Sequence, residues 1–194
     1  MKKNFIMNNA SVSRSSGFTI IETLVAITIL MIAIVGPLTV AHKGLTAAVY
    51  ARDQMIASYL AQDAIEYVKN ARDSNKLASR SWLYGFDGNS AAANPADCIH
   101  GSQCTVDTTI NSVDDAVLSC SGTGPECIPQ LFLSDEKGYS HDGAGLATQF
   151  NRHIIMTPDP NRASEVKLTA VVSWQNGIVD NDVTLTSELF DTFR

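Results

Sequence analysis

Basic side chains are scarce in this chain and unevenly placed. Its 194 residues hold 14 Lys and Arg against 20 Asp and Glu. Three of the 14, Lys2, Lys3 and Arg14, fall within the first 17 residues, which contain no acid. Residues 18–194 therefore carry 11 basic and 20 acidic side chains, a formal −9. That shortage excludes sequence-independent nucleic-acid binding, which needs many phosphate-neutralising cations. It also excludes a polybasic binder of lipid surfaces. Histidine is scarcer still: His42, His100, His141 and His153 lie scattered, with no ligand-like spacing. There is no glycine-rich phosphate loop. The string "SDEK" at 134–137 has the Ser-x-x-Lys form but none of the partner motifs of acyl transfer. No enzyme is expected from such a chain.

Cysteine is rare and clustered. Cys98, Cys104, Cys120 and Cys127 are the four present. An even, clustered set behind an N-terminal hydrophobic segment reads as two disulfides in an oxidising compartment. Zinc suits them less, because five and six intervening residues exceed the two to four usual for zinc knuckles. Cys98–Cys104 with Cys120–Cys127 is the simplest pairing by proximity, and three connectivities stay open. The acidic stretches Asp180-Asn181-Asp182 and Asp135-Glu136 offer oxygen ligands for calcium, but the 12-residue calcium-loop pattern is missing. No cofactor or metal is expected.

Charge is absent altogether between Glu22 and His42, a run of 19 residues. As a helix this run spans about 28 Å, close to the thickness of a hydrocarbon core. A secretory signal has a shorter apolar region followed by small residues for cleavage. Here "TVA" at 39–41 is marginal, and the better punctuation is "SSG", ahead of the run. The basic residues in front keep that end cytoplasmic by the positive-inside rule, so the bulk of the chain faces out. Glu22 then needs a reason. An acid deep in a bilayer costs about 2.5–3.5 kcal/mol on insertion scales unless it is paired or interfacial. Arg14 is eight residues away. A cut between Gly17 and Phe18 would create an α-amino group four residues before Glu22, a cation at the same membrane depth.

The stretch "GFTIIETLVAITIL", residues 17–30, resembles the class III signal of type IV prepilins and pseudopilins. It joins a basic leader ending in Gly to Phe, to Glu at the fifth mature position, and to an apolar run. The resemblance implies cleavage after Gly17 by the prepilin peptidase and N-methylation of Phe18. It also implies that Glu22 meets the Phe18 amine of a neighbouring subunit during assembly. The run "YLAQDAIEYVKNARD", residues 59–73, is similar to the outer half of this helix in minor pilins of the type IV pilus modification class.

Beyond the apolar run, Leu45, Val49, Ile56, Leu60 and Tyr67 share one narrow helical stripe at 100° per residue. Lys43, Gln54, Ser58, Lys69 and Arg72 fall opposite, and Ile65 points with the polar group, as an exposed residue or a contact to a neighbouring subunit. A helix from Phe18 to about Arg72 would be roughly 80 Å long. Gly36-Pro37 is expected to kink or locally melt it. Residues 75–150 are rich in turn signals, with a short strand at "QLFL", 130–133. In "EVKLTAVVSWQNG", Val166, Leu168, Ala170, Val172 and Trp174 alternate with Lys167, Thr169 and Ser173. Val183, Leu185 and Leu189 continue the pattern in a closing strand, and "RHIIMT" at 152–157 makes a third. Asn176-Gly177 and Asp180–Asp182 supply the turn chemistry between the last two. The order that starts at Phe150-x-Arg152-x-Ile154 is similar to the C-terminal sheets of minor pilins and pseudopilins.

The expected fold is therefore α+β, a long N-terminal helix packed on a C-terminal antiparallel β-sheet. Residues 1–17 form a leader that is removed, 18–44 a transmembrane or filament-core helix and 45–74 its amphipathic half. Residues 75–150 form a variable, cysteine-bearing region and 151–194 the sheet. The resemblance implies a structural subunit, a minor pilin or pseudopilin, of a type IV pilus or a filament like that of type II secretion. A major pilin, or a filament-tip adhesin using residues 75–150, is the alternative. Implied partners are other pilin subunits, the prepilin peptidase and an inner-membrane assembly platform. The implied location is the bacterial inner membrane before assembly, with the C-terminal domain outside, and then the filament.

Overall fold

A computed structural model describes residues 17–92, 95–99, 101–120 and 129–191. The chain divides into two compact units, residues 1–48 and 49–194. Helix α1, Ile20–Leu77, supplies the described helix of the first unit and the first element of the second.

In the first unit every large apolar side chain from Ile20 to Val40 is exposed. The threonine hydroxyls of this stretch are satisfied locally instead. The hydroxyls of Thr23, Thr28 and Thr39 donate to the carbonyls of Ile20, Val25 and Gly36, three residues back. Back-bonding of this kind removes a free donor from a surface without water. The helix continues through Gly36 and Pro37. The helix is thus unbroken there and does not melt, although the proline removes one backbone donor.

In the second unit, helix, sheet and loops share one core. Strands β1 (Gln103–Val106), β2 (Val117–Ser119), β3 (Gln130–Ser134), β4 (Gly138–Ser140), β5 (Leu146–Asp159), β6 (Arg162–Asn176) and β7 (Val179–Phe190) form a single antiparallel sheet. A short helix, α2 (Val113–Ala116), precedes β2. β5 is the hub. It pairs with β6 along one side, and on the other with β3 near its start and β1 further along. The inward residues Phe150, Ile154 and Met156 of β5 and Val166, Leu168, Ala170, Val172 and Trp174 of β6 are all buried. Leu189 of β7 joins them, with Val183 and Leu185 half-buried at the margin. The period-2 reading of these strands holds because one face is covered and a one-residue slip would invert it.

The helix face that covers the sheet is not the expected one. Ala57, Leu60, Ala61, Ala64, Ile65 and Val68 are buried, whereas Leu45 and Val49 are exposed. The buried stripe lies about a quarter turn from the one drawn through large apolar residues. Three alanines carry the contact, since a side chain of one methyl group lets the helix backbone lie close to the sheet. Ile65, expected to point with the polar residues, fills this core.

The turn between β6 and β7 also differs. Asn176 pairs with Val179, so the loop is Gly177-Ile178, with Gly177 at φ +67°. Glycine at the first central position is the type II′ signature, which matches strand twist. Asp180, Asn181 and Asp182 are strand residues paired with Gln175, Trp174 and Ser173. Helix α1 ends in a Schellman arrangement. Ser79 takes the left-handed conformation at φ +57°, its N–H donates to the Lys76 carbonyl, and the Arg80 N–H donates to the Asn75 carbonyl.

Tyr67 ties α1 to the segment after β1, its hydroxyl donating to the Ile110 carbonyl at 3.0 Å. Burial first, then the charges of Asp107 and Asp115, push its pKa up from 10.0 to about 12. The folded state therefore holds this proton more tightly than the unfolded chain. Its contribution is complete below pH 10 and is lost as pH rises from 10 towards 12. Urea midpoints of the full chain in detergent should fall more steeply over that window in the wild type than in Tyr67→Phe. Parallel profiles would show that Tyr67 does not titrate with unfolding.

Candidate functional site

The residues singled out at the N-terminus sit where α1 begins. Gly17, Phe18 and Thr19 precede the first helical residue, Ile20, and Glu22 lies in the first turn. Thr19 acts as the N-cap: the Glu22 N–H lies 3.3 Å from its Oγ1 and 3.1 Å from its carbonyl oxygen. Thr-x-x-Glu is the sequence form of a capping box. The bonds to Thr19 are made by the Glu22 backbone N–H and not by its carboxylate. The carboxylate faces the positive end of the helix dipole. Among the described residues it forms no ion pair. The basic leader residues Lys2, Lys3 and Arg14 lie outside the described residues.

Gly36 and Pro37 lie within α1 and are exposed. Cys98 and Cys104 form a disulfide, both sulfur-bearing residues fully buried. Cys120 is disulfide-bonded as well, and Cys127 lies outside the described residues. His100 lies outside them too. Among the described residues no group of three or more His, Cys, Asp and Glu is arranged to hold a metal. The Cys98 carbonyl accepts from Met156 N–H and the Cys98 N–H donates to the Phe86 carbonyl, so backbone bonds tie this loop to β5 while the disulfide ties it to β1.

The most demanding polar group in the second unit is Arg152, whose side chain is completely buried. It stands on the inward face of β5, between Phe150 and Ile154. One guanidinium nitrogen, Nη1, donates to the Leu60 carbonyl at 3.1 Å and to Asp63 Oδ2 at 3.0 Å. The other, Nη2, donates to the Val106 carbonyl at 2.8 Å. The Thr108 hydroxyl donates to the same Asp63 oxygen at 2.6 Å. One side chain thereby joins α1, β5 and the end of β1. Burial lowers the pKa of Arg152, and the charges of Asp63 and Asp107 oppose that shift. A basic residue on an otherwise apolar strand face is the signal for such a clamp, because a buried guanidinium needs acceptors from other elements.

Asp107 is a second organiser. Its Oδ1 accepts from the N–H and hydroxyl of Thr109, and its Oδ2 from the His141 N–H at 2.9 Å.

A family model described as the prokaryotic N-terminal methylation motif matches residues 12–36. The chain thus carries the class III signal of type IV prepilin-like proteins, which supports a pilin- or pseudopilin-like precursor. The signal and one helix long and apolar enough to cross a membrane fit a membrane-anchored protein. No curated protein and no solved structure matches the chain.

Replacing Arg152 by Met should lower the unfolding free energy by about 3 kcal/mol, since the Leu60 and Val106 carbonyls lose a charged donor. Denaturant unfolding of the full chain in detergent measures this. A change within error would mean that water or repacking satisfies those carbonyls.

Proposed function

We propose that this chain is a structural subunit, a minor pilin or pseudopilin, of a type IV pilus or a secretion filament of related design. The observation that carries the reading is the methylation motif on a helix whose large apolar residues from Ile20 to Val40 are all exposed. Exposed apolar surface of that extent requires another apolar medium. A bilayer serves before assembly, and the helices of neighbouring subunits serve after it.

Processing after Gly17 changes the electrostatics of this end. The new Phe18 amine is a cation beside the positive end of the α1 dipole, an unfavourable placement. Glu22, four residues on, supplies a compensating carboxylate, to the same chain or to a neighbour that enters at the same depth. Pairing across subunits would set register during insertion into the filament. The leader and its basic residues stay cytoplasmic, the helix lies in the inner membrane and residues 49–194 face outward. Prepilin peptidase, other pilin subunits and an inner-membrane assembly platform are the partners this reading requires.

Mass and N-terminal sequence of the protein from its own membrane fraction should give a chain that begins at N-methylated Phe18. A chain beginning at His42 would make the apolar run a discarded signal, and an intact Met1 would make it a plain anchor; either result overturns the reading. Glu22→Ala should leave cleavage unchanged but reduce the amount recovered in sheared filaments. Equal recovery of mutant and wild type would remove Glu22 from assembly.

A further inference from the structure

A groove of about 430 Å³ runs beside the outer half of α1, lined by Val49, Asp53, Ile56, Leu133, Tyr139 and Phe150. Most of this lining is apolar, and the Thr148 hydroxyl at its edge is already committed to the Leu131 carbonyl. Arg52, Asp53 and Gln149 are its other polar members, and of these three only Asp53 is withdrawn from water. This residue is 3% exposed, and its carboxylate accepts no hydrogen bond among the described residues. Its one cationic contact there is Arg52 Nε at 3.7 Å, beyond hydrogen-bonding distance, on a side chain that is 74% exposed. An ion pair with so exposed a partner contributes little. A carboxylate withdrawn from water without donors is costly, and sites of that kind are completed by a cation.

We propose that this groove receives an arginine side chain from a second, non-identical subunit, with its guanidinium on Asp53. The chemistry of the lining selects that ligand. Val49, Ile56 and Leu133 match a methylene stem. Asp53 matches a planar cation with several donors. Tyr139, half-buried and packed edge to face on the buried Phe150 at 6.3 Å, offers aromatic surface to a guanidinium, which tolerates desolvation and stacks on rings better than an ammonium does. A non-identical subunit is favoured over a second copy because residues 18–194 carry a formal −9, and two such bodies repel. Tyr59, 64% exposed beside Ile56 on the same helix, extends the apolar rim available to that partner. The inference rests on the filament-subunit reading for the identity of the partner, and on Asp53 alone for the chemistry.

The test is site-specific photo-crosslinking of the full chain in the cells that make it, with a photoreactive residue at Leu133. Adducts are mapped by mass spectrometry. The expected result is an adduct peptide from a different subunit that contains an arginine. Asp53→Asn, which keeps shape and removes charge, should lower its yield by at least about fivefold, as loss of a desolvated charge pair does. The thermal midpoint of the variant should be no lower than the wild type, since the substitution removes a poorly compensated buried charge and gives up only the weak contact to exposed Arg52. Arg→Glu at the mapped position should abolish the adduct. Yield unaffected by Asp53→Asn, an adduct on a second copy of this chain, or adducts confined to peptides without arginine would overturn the proposal. The N-terminus of the same samples is sequenced in parallel. A wild-type chain starting at Met1 would sink the filament reading while an Asp53-dependent adduct still stood.

Discussion

The guanidinium of Arg152 is the interaction on which the second unit depends. It lies where helix, central strand and the end of β1 converge, and it satisfies carbonyls on two of those elements while holding the carboxylate of Asp63. A hydrophobic contact between α1 and the sheet is tolerant of sliding, because apolar burial has no direction. The guanidinium fork is not tolerant, since its donors leave at fixed angles. The alanine face of α1 sets how close the helix comes to the sheet, and Arg152 sets which turn lies over β5. Any displacement by one turn would strand a buried cation without its acid.

The two units meet opposite physical requirements with one helix. From Ile20 to Val40 the side chains are exposed and apolar, and the hydroxyls among them bond back to the helix itself. That surface is adapted to hydrocarbon or to other helices. From Asp53 to Asn75 a narrow face is buried against strands, and the other faces carry charge. A helix that is apolar all round and one that is amphipathic follow different rules of burial, and the change of rule falls near Ala48, where the units divide. The N-terminal end carries its own local device in the Thr19 cap and the first-turn Glu22.

Legibility in the sequence followed the strength of the local signal. The class III pattern at 17–30 and the strict alternation of Val166 to Trp174 were both readable, the first because several residue types must coincide, the second because a covered sheet face leaves a period of two. "QLFL" reappears within β3, and "RHIIMT" within β5. Large apolar residues alone point to the wrong face of α1, because the buried face is built largely from alanines, which mark it weakly. The turn was displaced by one residue because Asn-Gly and Gly-Ile place φ > 0 differently, and only strand register decides between them. Asp53 carries no local mark, and Arg152 is marked only as a basic residue on an apolar strand face; the partners of each depend on surroundings that no local stretch contains.

By itself the sequence determined the anchor, the processing signal, the acidic character of the body and the α+β class, all of which are set by residues close together along the chain. Only the tertiary structure decided which face of α1 is buried, that Arg152 is enclosed between Leu60, Asp63 and Val106, and that Asp53 is withdrawn from water without a donor. For Arg152 those are properties of groups brought together from 46 to 92 residues apart. Burial and hydrogen-bond satisfaction depend on the whole surrounding shell, which no window of sequence contains.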